Sequence, residues 1–175
     1  MEWIFDHDYN DTVRYTLGKP AVGKGKKNLV RFGINPSTAR PNDLDNTLKS
    51  VERIAKRSGY DGWIMLNVYP QRATDPNDLH NEIDTTIHIK NVQHIARILT
   101  EYNATILAAW GTLINKRKYL KECLQDIHKA SKGTKVKWVR IGKISKEGHP
   151  HHPLYLSNQE LPEEFDVHRY IESLK

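Results

Sequence analysis

Short runs of apolar residues recur along this chain, and each run ends in glycine or in polar residues. Four of these runs cover residues 28–35, 62–69, 105–111 and 136–143. Their apolar positions are nearly continuous, which is typical of strands buried on both faces of a parallel sheet. We therefore predict four central β-strands at these places.

Helical patterns fill the segments between the predicted strands. In residues 45–59 apolar side chains recur every three or four positions, and the segment closes at Gly59. Residues 85–102 and 112–130 show the same spacing. This alternation of strand and helix predicts an α/β fold, a three-layer α/β/α sandwich around a central, mostly parallel four-stranded sheet.

The two ends of the chain add smaller elements. Residues 12–20 predict an antiparallel edge strand, and residues 161–174 predict a closing helix with Phe165 and Ile171 facing inward. No internal repeat or shift in composition divides the chain. Residues 1–175 are therefore interpreted as one domain.

Composition narrows the class of protein. The 175 residues contain no apolar run of membrane-spanning length and begin with an acidic, aromatic segment unlike a signal peptide, so we expect a cytoplasmic protein with no membrane partner. The single cysteine, Cys123, excludes an internal disulfide and a thiolate-held metal cluster. A net charge of +6 permits a polyanionic partner and does not require one.

Polar residues and glycine follow each predicted strand. Asn35 ends the first strand, Asn67 lies late in the second and Gly111 follows the third. The fourth strand leads into a histidine-rich turn, KEGHPHHPLYLS, at residues 146–157. Because open parallel sheets bind ligands at the carboxyl ends of their strands, we expect these groups to meet in one crevice.

Four short motifs carry a resemblance to a known family. They are NPSTA at 35–39, RATDP at 72–76, AWG at 109–111 and HPLYL at 152–156. In this order they resemble a bacterial family of domains of unknown function, over nearly the whole chain.

The layout of the motifs is in turn similar to that of the uracil-DNA glycosylase superfamily. GINPS at 33–37 resembles its first motif, with Ser37 where that motif has glycine. IMLN at 64–67 resembles a strand whose asparagine reads the base edge, and HPHHPL at 149–154 resembles a turn whose histidine faces the leaving base. The resemblance implies a uracil-DNA-glycosylase-like fold and a nucleobase-recognising protein, with a nucleic acid or a nucleotide as its partner and no cofactor. It also implies hydrolysis of the N-glycosidic bond of an altered base in DNA or RNA.

The proposed hydrolysis needs a group that holds water and a donor aimed at the departing base. Asn35 can hold a water through its amide oxygen, and Asp45 would supply the carboxylate that Asn35 lacks. Asn67 offers a donor and an acceptor to a base edge. The turn is one residue longer than the motif it resembles, so either His149 or His152 would donate to the base.

Other residues complete the predicted base or ligand site. Tyr69 or Tyr155 would stack on the base, and Arg72 would contact a phosphate. The remaining members belong to the first motif and to the turn after the third strand, namely Gly33, Ile34, Pro36, Ser37 and Gly111.

Each candidate also has a purely structural interpretation. Asn35 stands before a proline in a turn, Asn67 can satisfy backbone groups at a strand end, and Asp45 is a favourable N-cap. Arg72 can form a salt bridge to Asp75 that holds its loop.

A metal site is a further alternative for the histidine turn. His149, His151 and His152 would bind the metal together with Asp43 or Asp45. The prolines between the histidines restrict how their rings converge, so we predict no metal.

Two other functions remain open alongside the hydrolase. The chain can be a non-catalytic nucleic-acid or nucleotide-binding module, which keeps the crevice and loses the geometry that holds water. It can also be a small-molecule hydrolase or transferase that uses the same crevice, because a fold by itself does not determine function.

Overall fold

A computed structural model describes residues 1–152 and 161–174, and one seven-stranded sheet runs through it. The strands in chain order are β1 (Ile4–His7), β2 (Arg14–Lys19), β3 (Asn28–Gly33), β4 (Gly62–Asn67), β5 (Ala104–Ala108), β6 (Lys137–Ile141) and β7 (Pro162–Glu164). Their order across the sheet is β1-β2-β4-β3-β5-β6-β7.

The four predicted central strands are β3, β4, β5 and β6, and they run parallel to one another. Every residue of β3 and β4 is buried, as the nearly continuous apolar runs indicated. The register places Gly33 beside Asn67, and Phe32 beside Ala108. The carboxyl ends of these three neighbouring strands therefore lie level at one edge of the sheet.

The sheet is mixed and has seven strands, not the predicted four. β1 pairs antiparallel with β2, β2 with β4, and β7 with β6. β2 is the strand predicted in residues 12–20, but β1 covers its outer side, so β2 is not the edge. β1 and β7 carry no buried residue, and strands of this kind leave no apolar run in a sequence.

Helices cover both faces of the sheet. α1 (Asn46–Arg57) packs on one face, where its apolar side chains join a cluster that includes Leu29 and Met65. α2 (Thr85–Glu101), α3 (Tyr119–Ser131) and α4 (Val167–Ser173) pack on the other face. Helices on both faces of an α/β sheet agree with the predicted three layers.

The helix predicted over residues 112–130 is divided into two pieces. A short 3₁₀ helix spans Gly111–Asn115, and α3 begins four residues later at Tyr119. Arg117 lies in the break and donates to the carbonyl oxygens of Leu79 (3.0 Å) and His80 (3.1 Å). These bonds tie the break between the two helices to the loop that contains Leu79 and His80. Arg117 therefore serves this loop contact and does not continue the helix.

The ends of the fold agree with the pattern only in part. Phe165 and Ile171 are buried, as predicted, but the closing helix is shorter than expected because β7 takes up its first residues. None of the helices in the described part of the chain is long and apolar enough to cross a bilayer.

Candidate functional site

A cleft opens at the carboxyl ends of β3, β4 and β5, and we call it the strand-end cleft. It consists of two cavities of about 160 and 520 Å³ that share Thr47, Trp110, Leu113 and His152 as walls. The polar side chains that line the smaller cavity are Arg14, Arg31, Asn35, Ser37, Asp45, Thr47, Thr74 and His152. The larger cavity continues along the histidine turn, with Gly111, Thr112, Ser145, His149, Pro150 and His151 on its wall.

Two almost fully buried arginines line the smaller cavity. Arg14 on β2 and Arg31 on β3 are each only 2% exposed. Arg14 donates to the carbonyl of Ala39 (3.0 Å), while Arg31 donates to the carbonyl of Ala109 (3.1 Å) and contacts the sulfur of Met65 (3.3 Å). Burial lowers the pKa of Arg31 to about 9 and that of Arg14 to about 10, so both side chains are cationic at neutral pH.

Asn35 lies on the wall of the same cavity, in the loop after β3. Its amide nitrogen donates to the carbonyls of Ala73 (2.8 Å) and Pro36 (3.1 Å), and it lies 3.4 Å from that of Gln71. These bonds join the loop after β3 to the loop after β4 and fix the orientation of the amide. The amide oxygen accepts no hydrogen bond from a described residue, so it is available to hold a water.

Asp45 caps α1 and also lines the cleft. Its Oδ1 accepts from the backbone N–H of Leu48 at 2.9 Å, as the N-cap interpretation predicted. The same carboxylate acts electrostatically on both Arg14 and Arg31, which places its charge near theirs. The structural and functional interpretations of Asp45 are therefore compatible.

The two candidate histidines occupy different surroundings. His152 is part of both cavities and is half-buried. Burial, and after it the charge of Arg31, lower the pKa of His152 to about 3. Its imidazole is neutral at physiological pH and can donate one N–H.

His149 is held inside the fold. Its Nδ1 lies 2.7 Å from the hydroxyl of Tyr170, and its Nε2 lies 3.1 Å from the amide nitrogen of Asn115. The same Tyr170 hydroxyl accepts from the indole N–H of Trp110 at 2.9 Å. Because both of its ring nitrogens have partners, His149 supports the wall of the larger cavity, whereas His152 lines both cavities.

Asn67 does not line the strand-end cleft. By the alternation of β4 its side chain points to the same face of the sheet as that of Met65, but it is fully buried. Neither its amide nitrogen nor its amide oxygen has a hydrogen-bond partner among the described residues. The structure therefore does not place Asn67 in the crevice that Asn35 lines, because its side chain is fully buried; a base-reading role for Asn67 stays a prediction.

Tyr69 and Arg72 serve to hold loops. The Tyr69 side chain is fully buried, and its hydroxyl lies 2.6 Å from Nδ1 of His80, so Tyr69 is not placed to stack on a ligand in the cleft. Arg72 donates to the carbonyl of Ser37 (2.6 Å) and pairs with Asp11 (3.1 Å), where the sequence had suggested Asp75 or a phosphate.

The remaining members of the predicted site shape the cleft mainly through the backbone. Gly33 and Ile34 accept hydrogen bonds from the two residues that follow β4, and the carbonyl of Pro36 accepts from Ala73. Ser37 and Thr74 join the two loops by a hydroxyl contact of 3.0 Å. Tyr155 and most of the HPLYL motif lie outside the described residues.

Gly111 brings the turn after β5 against the histidine turn. Its φ of +64° is in the left-handed region that favours glycine, and its N–H donates to the carbonyl of Pro150 at 2.9 Å. A Cβ at position 111 would lie 3.9 Å from His152, which is an ordinary van der Waals contact. The hydrogen bond from Gly111 to Pro150 therefore joins the turn after β5 to the histidine turn that carries His152.

Sequence reasoning missed the two buried arginines. Arg31 interrupts the apolar run of β3, and Arg14 begins β2. A charged residue inside a run predicted to be buried on both faces is itself an informative signal, because such residues are rarely buried without a role. Within residues 1–152 and 161–174 no three His, Cys, Asp or Glu side chains are grouped as a metal site would require.

Comparison with known proteins shows which family most of the chain matches. Residues 14–154 match the model of a family described as a protein of unknown function, DUF1643. No curated protein and no solved structure matches the chain. The matched span includes every residue that lines the two cavities.

Proposed function

The chain belongs to the DUF1643 family of unknown function, and we propose that its strand-end cleft recognises a nucleobase and hydrolyses the N-glycosidic bond that holds it. The motif layout that resembles the uracil-DNA glycosylase superfamily supports this choice of chemistry. The observation that carries the proposal is that Asn35, Asp45 and His152 line a single cavity.

Hydrolysis places a water on the glycosidic carbon of the sugar as the bond from that carbon to the base nitrogen breaks. The amide oxygen of Asn35 accepts a hydrogen bond from this water, and the carboxylate of Asp45 takes its proton as the new carbon–oxygen bond forms. Asn35 positions the water and does not titrate. The products are the free base, which regains a proton at nitrogen, and the sugar with a hydroxyl at the same carbon.

The departing base gains negative charge as the bond breaks. His152 is neutral at physiological pH. Its one N–H can donate a hydrogen bond to an oxygen or nitrogen of the base edge with no change in the protonation state of the ring. The buried positive charge of Arg31 beside it favours the same developing anion. The larger cavity, bordered by Gly111 and His151, provides room for the base.

A non-catalytic nucleotide-binding module is the second candidate. It is favoured by the positions of Asn67 and His149, since two of the polar groups that the resemblance assigns to base recognition are buried or already bonded. Such a module would use the cleft for affinity and would leave the glycosidic bond intact.

Release of free base separates the two candidates. The protein is incubated with nucleosides, nucleoside monophosphates and oligonucleotides that carry altered bases, and free bases and abasic sites are quantified. We expect release from at least one substrate, abolished by Asn35→Ala and by His152→Ala. The matched control is His168→Ala, because His168 is exposed and lies on α4 away from the cleft. Binding without release from any substrate would favour the module.

A further inference from the structure

We propose that Arg14 and Arg31 form an anion site at the base of the strand-end cleft, and that this site takes the terminal phosphate of a small nucleoside monophosphate. The nucleoside part of this ligand rests on the function proposed above, whereas the anion site rests on the two arginines alone. The inference narrows the substrate from any nucleobase-bearing molecule to a free nucleotide.

The first support is the lack of a neutralising partner. Among the described residues no carboxylate forms an ion pair with Arg14 or Arg31, although the surface arginines Arg40, Arg97 and Arg140 each have one. The partners of the two buried guanidinium groups are backbone carbonyls and a thioether sulfur. Buried charges in proteins are ordinarily paired, so two unpaired ones beside a cavity point to a ligand of opposite charge.

The second support is the supply of unused donors. The Nε atoms of both Arg14 and Arg31 are buried and have no hydrogen-bond partner among the described residues. A guanidinium presents its N–H groups in a fork that matches the oxygens of a phosphate. A bound phosphate would bring acceptors and negative charge next to two guanidinium groups whose hydrogen bonding the folded protein leaves incomplete.

Electrostatics agree with this assignment. Burial is the main cause of the lowered pKa values of both arginines, and Arg14 further lowers that of Arg31 by repulsion. Asp45 is the carboxylate on the cavity wall, and its charge opposes this repulsion, but its Oδ1 already accepts from the N–H of Leu48. A bound anion would add negative charge beside both arginines and would oppose this repulsion.

The size of the cavities distinguishes a terminal phosphate from a polymer backbone. The cavity beside the arginines is about 160 Å³, which has room for one tetrahedral anion together with a water at Asn35. It is continuous with the cavity of about 520 Å³ along the histidine turn. A nucleoside monophosphate can place its phosphate in the first and its base in the second. In a continuing strand the same phosphate would carry a second ester, which would have to fit beside two arginines that are each only 2% exposed.

Binding measurements test the anion site without any turnover. Affinities for inorganic phosphate, a nucleoside and its monophosphate are measured by calorimetry on the wild type, Arg14→Met and Arg31→Met, with the exposed Arg169→Met as control. Because each lost charge-assisted hydrogen bond is a large contribution, we expect the affinity for the monophosphate to fall roughly tenfold or more in the two cleft variants. The control should bind as the wild type does.

A second variant keeps both arginines in place. Thr47→Glu adds a carboxylate in the first turn of α1, where acidic residues favour a helix, and it faces both cavities. It should weaken the binding of inorganic phosphate while leaving the fold intact.

The outcomes separate the two proposals. Phosphate binding by a protein that cleaves no glycosidic bond leaves the anion site standing and removes only the hydrolase. Equal affinity for nucleoside and monophosphate, or phosphate binding unchanged in Arg14→Met, Arg31→Met and Thr47→Glu, would overturn the anion site even if bases are released.

Discussion

Arg31 and His152 share one wall of the strand-end cleft, and the guanidinium of Arg31 adds to burial in keeping the imidazole of His152 neutral. A buried cation on β3 therefore lies near a neutral histidine ring in the turn after β6. The effect of Arg31 on the pKa of His152 can be measured by titration.

The first prediction is that His152 has a strongly lowered pKa. Because burial and Arg31 both disfavour the imidazolium, we expect His152 to titrate at about 3, far below an ordinary histidine. In Arg31→Met the repulsion is removed, so the pKa of His152 should rise. Imidazole chemical shifts followed by NMR over the acid range provide the measurement, with His151→Ala used to separate the neighbouring signal.

The same shift makes stability depend on pH. A folded-state pKa below the unfolded value means that the unfolded chain binds more protons as the pH falls below about 6.5, so the free energy of unfolding should decrease from there toward pH 3. His94, His128 and His149 contribute in the same direction. Urea unfolding at a series of pH values should give a flatter dependence in His152→Gln, and an unchanged slope would show that His152 titrates normally.

Asp45 is the N-cap of α1, and we also propose that it accepts a proton from the attacking water; one substitution separates the two roles. Asp45→Asn keeps an N-cap of similar quality, so the stability of the protein should change by less than about 1 kcal/mol. It removes the carboxylate, so the rate of base release should fall roughly a hundredfold. Asp166→Asn makes the same change at the N-cap of α4 and should leave the rate unaltered. A loss of rate in both variants would assign the effect to capping.

Tyr170 joins two buried donors behind the cleft. Tyr170→Phe removes the hydroxyl that Trp110 and His149 contact, and it leaves those buried ring nitrogens without a partner. We expect a loss of about 1–3 kcal/mol in the free energy of unfolding, measured by urea denaturation. Tyr9→Phe is the matched control, since Tyr9 is fully exposed. Equal stability of the two variants would contradict the supporting role of His149.

Asn67 provides the opposite case, a buried amide without partners. Asn67→Leu replaces unsatisfied polar atoms with an apolar side chain of similar size, so stability should be unchanged or higher by about 1 kcal/mol. Asn91→Leu should lose about 1–3 kcal/mol, because the Asn91 amide donates to the carbonyl of Asn67 at 2.9 Å. Base release should survive Asn67→Leu, and its loss from a stably folded variant would return Asn67 to the base-reading role.

The central sheet was predictable because its strands are apolar throughout, whereas the flanking strands were not. β3 and β4 bury every residue, and such runs are visible in a sequence. β7 consists of PEE and is held by pairing with β6, a contact that no local pattern encodes. Pairing between segments that are distant in the sequence therefore forms β7, which the spacing of apolar residues does not predict.

The site was predictable to the extent that strand ends converge. Asn35 and His152 meet in one cleft because parallel strands end at one edge. The positions of Asn67 and His149 were not predictable. Asn67 is fully buried whereas Asn35 lines the cavity, and the ring of His149 contacts the hydroxyl of Tyr170. Depth and tertiary partners depend on packing between layers, which residue spacing along the chain does not describe.

A crystal structure of the protein with a nucleoside monophosphate tests most directly whether the strand-end cleft recognises a nucleobase. We expect the phosphate against Arg14 and Arg31, the base beside His152 in the larger cavity, and the glycosidic carbon on the side of Asn35 and Asp45. A nucleotide bound elsewhere on the surface, with the strand-end cleft unchanged and empty at saturating ligand, would contradict nucleobase recognition by this cleft.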